Sequence, residues 1–140
     1  MPRLLACALS ICLVVVGCSP SMGRSFAVTI PGQAGISPLL TVLLDKSGVI
    51  ESVAAEVPTA TESDIDVANP PGEPDVLLVT WIGGTCDHRV EFVFDGGADA
   101  YTLSGVTERD SGCTLSGIAR SIRMQMSTPV SADTVEFQLP

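Results

Sequence analysis

The alternation of apolar and polar residues in short segments is the feature that most constrains the fold of this chain. Apolar side chains recur at every second position in SFAVTI, RVEFVF, SIRMQM and TVEFQL, and Gly, Pro, Asp and Ser separate the segments. Successive side chains of a strand point to opposite faces, so this period buries one face of a sheet. DVLLVTWI is apolar on both faces, as is typical of a central strand. The pattern predicts an all-β fold, a single antiparallel β-sandwich-like domain of about seven or eight strands over residues 26–140.

Two segments of this domain are less regular. LLTVLLDKSGVIESVAAEV predicts a hairpin that turns at residues 45–48, because β-branched residues follow the turn directly. A helix over residues 38–47 with Ser37 as its cap is the alternative. Residues 58–75, PTATESDIDVANPPGEPD, are acidic and rich in proline and predict a long surface loop.

The N-terminal segment has the layout of an export signal. Arg3 precedes the apolar run Leu4–Val16, and Gly17 and Cys18 follow it. A helix from Leu4 to Cys18 spans about 22 Å at about 1.5 Å per residue, which is less than the roughly 30 Å hydrocarbon core of a membrane. We therefore expect residues 1–17 to be a signal peptide rather than a permanent transmembrane helix.

Val15-Val16-Gly17-Cys18 resembles the lipobox of bacterial lipoproteins, with Val in place of the usual Leu. The resemblance implies that Cys18 carries a lipid such as palmitate, and that residues 18–25 are the anchor and a short tether. Each buried methylene contributes about 0.8 kcal/mol, and two acyl chains suffice for stable attachment. We expect the domain to be exported and anchored on the extracytoplasmic side of the cell membrane. An ordinary signal peptide or a membrane-embedded tail is the alternative.

The five cysteines divide into three groups on this interpretation. Cys7 and Cys12 leave with the signal peptide, and Cys18 carries the lipid. Cys86 and Cys113 remain, and an exported protein reaches an oxidising compartment in which a disulfide persists. We predict one disulfide between them, which closes a loop of about 27 residues and stabilises the domain by roughly 3.5 kcal/mol.

The formal net charge of −9 excludes one class of partner. Nucleic-acid binding requires basic side chains that neutralise phosphates, and the sequence contains no basic patch. The same charge repels anionic lipid surfaces, so the lipid on Cys18 has to provide the membrane attachment.

Residues 69–135 contain NPPGEPDVLLVTWIGGTCD, YTLSGVTERDSGC, GIARSIRMQM and TPVSADTV. These stretches resemble a group of small secreted or lipid-anchored proteins of actinobacterial type that are themselves uncharacterised. The resemblance implies the paired cysteines and a compact β domain. It implies no catalytic or binding residue.

Cys86-Asp87-His88 combines a thiol, an acid and a base, but its spacing does not suit catalysis. Neighbouring side chains of a strand point to opposite faces, and an oxidised cysteine has no thiolate. One histidine and two distant cysteines also do not form a zinc site. We therefore expect no catalytic residue and no zinc.

Two further metal hypotheses are weak. Met124, Met126 and His88 would suit Cu(I), but both methionines share a face with Ile122 and are expected in the core. Glu62, Asp64 and Asp66 resemble the start of a calcium loop whose glycine and distal glutamate are missing, so a solvated acidic loop is expected.

We therefore expect neither a metal nor a cofactor. The best candidate site lies where the predicted disulfide gathers two loops at one end of the sandwich. Asp87, Arg89 and Arg120 lie in or beside these loops. We expect an internal salt-bridge cluster that holds the loops. A binding surface is the alternative, since loops on a rigid scaffold are where binding residues concentrate.

Together these expectations predict that the protein is a cell-envelope lipoprotein. It would serve as a non-enzymatic binding, scaffold or accessory module at the outer face of the cytoplasmic membrane. Its partner would be an unidentified envelope protein or a small molecule. A hydrolase or metal-handling protein with an unrecognised site is the alternative, and a deep pocket with converging polar side chains would favour it.

Overall fold

The structure is a computed structural model and describes residues 23–58, 65–112 and 117–138. Nine strands are present in these ranges: β1 (Arg24–Ile30), β2 (Leu39–Asp45), β3 (Ile50–Glu56), β4 (Ile65–Ala68), β5 (Val76–Gly83), β6 (Asp87–Gly97), β7 (Ala100–Arg109), β8 (Ile118–Met126) and β9 (Val135–Gln138). A short 3-10 turn, Ala132–Thr134, precedes β9. Within the described part of the chain, no helix is long and apolar enough to cross a membrane.

The strands form two sheets that share one core. The first sheet has the order β1-β2-β6-β7-β9 and the second has the order β3-β8-β5-β4. The all-β, sandwich-like class is therefore confirmed. The prediction that every pairing is antiparallel is wrong, because β2 pairs with β6, and β7 with β9, in parallel. The chain leaves the first sheet after β2, builds three strands of the second sheet, and returns as β6 in the direction of β2.

The two ends of the sandwich are built from different connections. The end at which β2, β6 and β8 begin carries residues 31–38, 84–86 and 110–112, and we call it the loop end. The opposite end carries residues 46–49, 69–75 and 98–99, and we call it the turn end.

Alternating side chains of both sheets form the core, as the sequence period predicts. On β8, Ile122, Met124 and Met126 are buried, which confirms that the two methionines fill the core. Trp81 of β5 meets Phe92 of β6 edge to face across the sheets, with ring centroids 5.0 Å apart. This is one of the favoured arrangements of aromatic pairs.

Three local expectations have clear outcomes. Residues 39–45 form a strand, so the helix alternative over residues 38–47 is wrong. The predicted hairpin is wrong as well, because the turn at residues 45–48 carries the chain from one sheet to the other and β2 does not pair with β3. The interval 58–75 is not one continuous loop, because Ile65–Ala68 pairs with β5. The less regular segment YTLSGVTER suggests a bulge at Gly105, but Gly105 pairs in register with Phe92. The irregularity on that strand pair lies instead between Asp87 and Arg89.

Candidate functional site

Asp87 and Arg120 form a buried charged pair at the loop end. Arg120 extends the inward face of β8 by one position beyond Ile122, and it is 2% exposed. Asp87 is also 2% exposed. Regular alternation from Val90 would turn Asp87 outward, and the register shift before Arg89 turns it into the core instead.

Gly83 provides the space for this pair. It lies on the inward face of β5, two residues beyond Trp81. A Cβ atom at this position would lie 2.9 Å from Asp87 Oδ2 and 3.6 Å from Arg120 Nε. Any larger residue at position 83 would therefore displace the carboxylate.

The hydrogen bonds of the pair are few. Asp87 Oδ2 accepts the backbone N–H of Gly84 at 2.6 Å. Arg120 Nη2 donates to the Gly84 carbonyl oxygen at 3.5 Å. Both side chains thus hold the backbone of the turn between β5 and β6, and each retains polar atoms that this turn does not satisfy.

Two cations share the single Asp87 carboxylate. Arg109, which is half exposed at the end of β7, places its Nε 3.4 Å from Asp87 Oδ1. Burial lowers the pKa of Arg120 below the usual value of an arginine, and the Asp87 charge opposes part of that shift. Asp87 therefore lies near two arginines, one buried and one half exposed.

Buried polar atoms without a hydrogen-bond partner are concentrated near this pair. Among the described residues they are Thr41 Oγ1, Trp81 Nε1, Asp87 Oδ1 and Arg120 Nε. Trp81 pairs with Arg120 across β5 and β8, and Thr41 pairs with Val90 near the start of β6. All four atoms thus lie in the half of the sandwich nearest the loop end. Because buried polar groups in proteins are usually bonded, such a concentration indicates a functional region.

Two cavities open beside the pair. The Arg120 cavity has a volume of about 190 Å³ and is lined mainly by apolar side chains. Its lining includes Ile30, Gln33, Ile36, Glu56, Ile118 and Arg120. The Asp87 cavity has a volume of about 230 Å³ and is more polar. It is lined by Gly35, Ser37, Thr85, Cys86, Asp87, His88 and Asp110.

The connection between β1 and β2 contributes to both cavities. Gln33 accepts a backbone hydrogen bond from Ile36 at 2.8 Å, which closes a tight turn. A Cβ atom at Gly32 would lie 2.1 Å from the Ile36 carbonyl oxygen, so only glycine fits where the loop folds back on itself. The loop is therefore built locally and places Ile36 at the Arg120 cavity.

The predicted site residues are only partly brought together. Asp87 and Arg120 converge, but Arg89 lies outside the cluster, where its Nε donates to Glu91 Oε1 at 2.8 Å. His88 is half exposed and points away from the core. Its Nε2 lies 3.6 Å from Glu108 Oε2, and its Nδ1 lies 3.7 Å from Asp110 Oδ1.

Several other predicted residues lie outside the described part of the chain. These are Cys18, Glu62, Asp64 and Cys113. Asp66 is described and is exposed on the edge strand β4. Cys86 lies in the turn before β6, and its carbonyl oxygen accepts the backbone N–H of Asp110 at 3.3 Å. The segments that lead toward the two predicted disulfide partners are therefore adjacent.

The sequence analysis missed Gly83 and Arg109. Gly83 is one of thirteen glycines, and only the packing of two sheets shows that its missing side chain makes room for a carboxylate. Arg109 is the last residue of β7. It lies opposite Asp87 because of the register between β6 and β7, which cannot be read from the sequence.

Comparison of the chain with models of protein families, with curated proteins and with solved structures finds no match. Within residues 23–58, 65–112 and 117–138, no group of three or more His, Cys, Asp or Glu side chains is arranged to hold a metal ion.

Proposed function

We propose that this chain is a cell-envelope lipoprotein whose β-sandwich is a non-enzymatic binding module at the outer face of the cytoplasmic membrane. The loop end is its binding surface. The observation that carries this proposal is the buried Asp87–Arg120 pair, in which Asp87 Oδ1 and Arg120 Nε have no hydrogen-bond partner and each residue lines a cavity. A ligand that supplied hydrogen-bond partners there would relieve a cost that folding leaves in place.

The polar groups of this site suit binding better than proton transfer. A guanidinium stays protonated in proteins, so Arg120 donates hydrogen bonds but does not act as a general base. The nitrogens of His88 face Glu108 and Asp110 at the surface instead of Asp87. Ser37 and Thr85 line the same cavity as His88, but among the described residues of the loop end no serine or threonine hydroxyl is hydrogen-bonded to His88 or Asp87. These features favour a binding module over a hydrolase.

The anchoring half of the proposal rests on residues 1–18. Cys18→Ser removes the only sulfur that the lipobox places for acylation, so the variant should leave the membrane or fail to mature. Cys12→Ser, a change within the apolar run of the signal, is the matched control and should fractionate as the parent does. The measurement is partitioning between detergent and aqueous phases. Equal partitioning of Cys18→Ser and the parent would contradict lipid anchoring.

The disulfide between Cys86 and Cys113 belongs to the same proposal. The backbone bond from Asp110 to Cys86 brings the two segments together, and Cys113 follows Asp110 by three residues. A bond there would tie the turn before β6 to the connection after β7 and so hold the cavity walls. Mass spectrometry of the unreduced, alkylated protein should find the cross-linked peptide pair. Alkylated Cys86 in the exported protein would contradict the pairing.

The binding surface is tested by site-specific photo-crosslinking in intact cells. A photoreactive residue at Gln33, on the wall of the Arg120 cavity, should capture a partner or ligand. The matched control is Asp99, an exposed residue at the turn end. Equal capture at Gln33 and Asp99 would contradict the assignment of the loop end.

A further inference from the structure

The two sheets end in four edge strands, and these edges differ in how well they resist the addition of a further strand. The edges are β1 and β9 in the first sheet and β3 and β4 in the second. An edge strand presents unpaired backbone N–H and C=O groups. Proteins usually protect such an edge by keeping it short, by placing charges or proline on it, or by a bulge.

Three of the edges are protected in these ways. Strands β4 and β9 have four residues each. Strand β3 has seven residues, but its register with β8 shifts between Ile50 and Ser52, and it carries Glu51 and Glu56. A strand added at β4 or β9 would form few hydrogen bonds, and one added at β3 would meet an irregular and acidic edge.

Strand β1 lacks these protections. All seven of its residues, Arg24–Ile30, pair with β2 without a register shift. Residues 25–30, SFAVTI, contain no charged side chain and no proline. Within the described ranges, no backbone hydrogen bond joins the other side of β1 to any segment. The edge of β1 is therefore long, regular and uncharged, which suits it to pair with another strand.

The sequence of β1 is complementary to itself when two copies run antiparallel. If Ala27 lies opposite Ala27 of a second copy, Ser25 lies opposite Thr29 and Phe26 lies opposite Val28. Hydrogen-bonded Ser–Thr pairs and contacts between an aromatic and a β-branched side chain are favourable cross-strand pairs. Each of these two pairs occurs twice, because the arrangement has twofold symmetry. The side chains of β1 thus favour a second copy as the added strand.

Charge does not oppose this pairing at β1, although the chain as a whole is acidic. Arg24 is the only charged residue of the strand, and its Nη1 donates to the carbonyl oxygen of Ile50 at 3.5 Å. In the antiparallel pair the two copies of Arg24 lie at opposite ends, about 20 Å apart at about 3.4 Å per residue. Glu51 and Glu56 belong to the second sheet, and stacked sheets lie about 10 Å apart.

We propose that β1 is a homodimer interface at which β1 of a second copy pairs antiparallel and joins the two five-stranded sheets into one continuous sheet. The edge backbone groups of both copies become hydrogen-bonded to each other. Phe26 and Val28, which are half-buried in the single chain, become covered further. The contact is one strand wide, so the dimer is reversible rather than obligate. This proposal goes beyond the proposed function, since it involves neither the loop end nor the lipid anchor.

Ala27 is the residue of β1 that lies opposite itself in this register, so Ala27→Cys should link two copies. Directly opposed residues have Cα atoms about 4.5–5.5 Å apart, which a disulfide can span. The full chain is produced in cells, free thiols are blocked, and membranes are analysed by non-reducing electrophoresis. Ala54→Cys is the matched control, because Ala54 is an exposed alanine on the protected edge β3, and it should stay monomeric. Equal amounts of covalent dimer in the two variants would overturn the proposal.

The register is tested with two further cysteines. Ser25→Cys alone should not link to itself, because residue 25 lies opposite residue 29 of the second copy. Cells that produce Ser25→Cys together with Thr29→Cys should contain the linked dimer. If Ser25→Cys alone formed as much dimer as Ala27→Cys, the antiparallel register would be wrong. If the product of Ala27→Cys did not have twice the mass of the chain, the partner would be another protein and the homodimer would be overturned.

A charged variant tests the dimer without cysteine chemistry. Ala27→Lys places two lysines opposite each other on the twofold axis and should raise the dissociation constant about tenfold or more. Ala27 is exposed, so this variant should fold. Ala54→Lys should stay within about twofold of the parent. Sedimentation velocity of the purified full chain over a range of concentrations measures these constants. A parent that is monomeric at every concentration, or an Ala27→Lys dimer as strong as that of the parent, would overturn the proposal.

Discussion

Each end of the sandwich contains a buried aspartate, but the two carboxylates differ in how many hydrogen bonds they accept. Asp45 at the turn end is 0% exposed and fully bonded. It accepts the Ser47 hydroxyl and the backbone N–H groups of Ser47, Gly48 and Ile50, at 2.6 to 3.0 Å. Asp87 at the loop end accepts one backbone N–H, that of Gly84, and leaves Oδ1 without a hydrogen bond.

This difference distinguishes a carboxylate that completes a turn from one that lies beside a cavity. Asp45 satisfies the backbone of a turn that carries the chain from one sheet to the other, and Gly48 at φ 78° completes that turn. Asp87 lies beside a cavity and a second buried charge that it compensates in part. Incompletely satisfied buried charges lower stability, so a protein that keeps one has a use for it.

The largest effect is expected at Asp45. Asp45→Ala removes the acceptor of three backbone N–H groups and should lower the free energy of unfolding by about 3–4 kcal/mol. Urea denaturation followed by the fluorescence of Trp81, the single and buried tryptophan, measures this change. Asp66→Ala removes an exposed carboxylate and should stay within about 0.5 kcal/mol. Equal losses in the two variants would refute the structural role of Asp45.

A smaller effect is expected at Asp87. Asp87→Ala leaves Arg120 buried without its carboxylate and frees one backbone N–H, so we expect a loss of about 2–3 kcal/mol. Arg89→Ala is the matched control, because Arg89 pairs with Glu91 at the surface and its removal should cost less than about 0.5 kcal/mol. If Arg89→Ala lowered the free energy of unfolding as much as Asp87→Ala, Arg89 would belong to the same cluster as Asp87 and Arg120.

Asn69 is a second side chain at the turn end that is hydrogen-bonded to the backbone. Its Nδ2 donates to the carbonyl oxygens of Val76 and Val130 at 2.8 Å, and its Oδ1 accepts the Ala132 N–H at 2.7 Å. Asn69→Ala should cost about 2 kcal/mol. Hydrogen exchange should quicken at Ala132 and remain unchanged at Gly84, since the two ends are separate. Faster exchange at both ends would show that they are coupled.

The smallest effect is expected at His88. Its two neighbours are carboxylates at the surface, and exposed ion pairs contribute little. His88→Ala should change the free energy of unfolding by less than about 0.5 kcal/mol. Urea denaturation of the variant and the parent checks this. A change in the free energy of unfolding several times larger than this would show that His88 belongs to the same cluster as Asp87 and Arg120.

Much of the fold was predictable because the inward faces are apolar. The alternation in β6 and β8 identified Phe92 and Met124 as core residues, and both are buried. The parallel pairing of β2 with β6 was not predictable, since it depends on which strands meet across the sheet rather than on the residues of either strand. Strand β4 was missed because four residues within an acidic, proline-rich interval give too short a period to recognise.

The candidate site was predictable only in part, because Asp87 and Arg120 were identified whereas Gly83, Arg109 and the geometry were not. Arg120 shares the parity of Ile122, so its place in the core follows from the strand pattern. Asp87 and Arg89 were grouped because both lie beside Cys86 in the sequence, and regular alternation would also place them on one face. The register shift between them separates the two residues, and a shift of one residue in a strand leaves no mark in the apolar pattern.

The central claim is that the Asp87–Arg120 pair is retained for binding and not for stability. The most direct test is the free energy of unfolding of the double variant Asp87→Leu with Arg120→Met, in which both charges are replaced by apolar side chains. Replacement of a buried ion pair in this way is often neutral or stabilising by about 1–4 kcal/mol. We predict that the double variant is at least as stable as the parent. A loss equal to or greater than that of Asp87→Ala alone would contradict the claim and make the pair a structural element like Asp45.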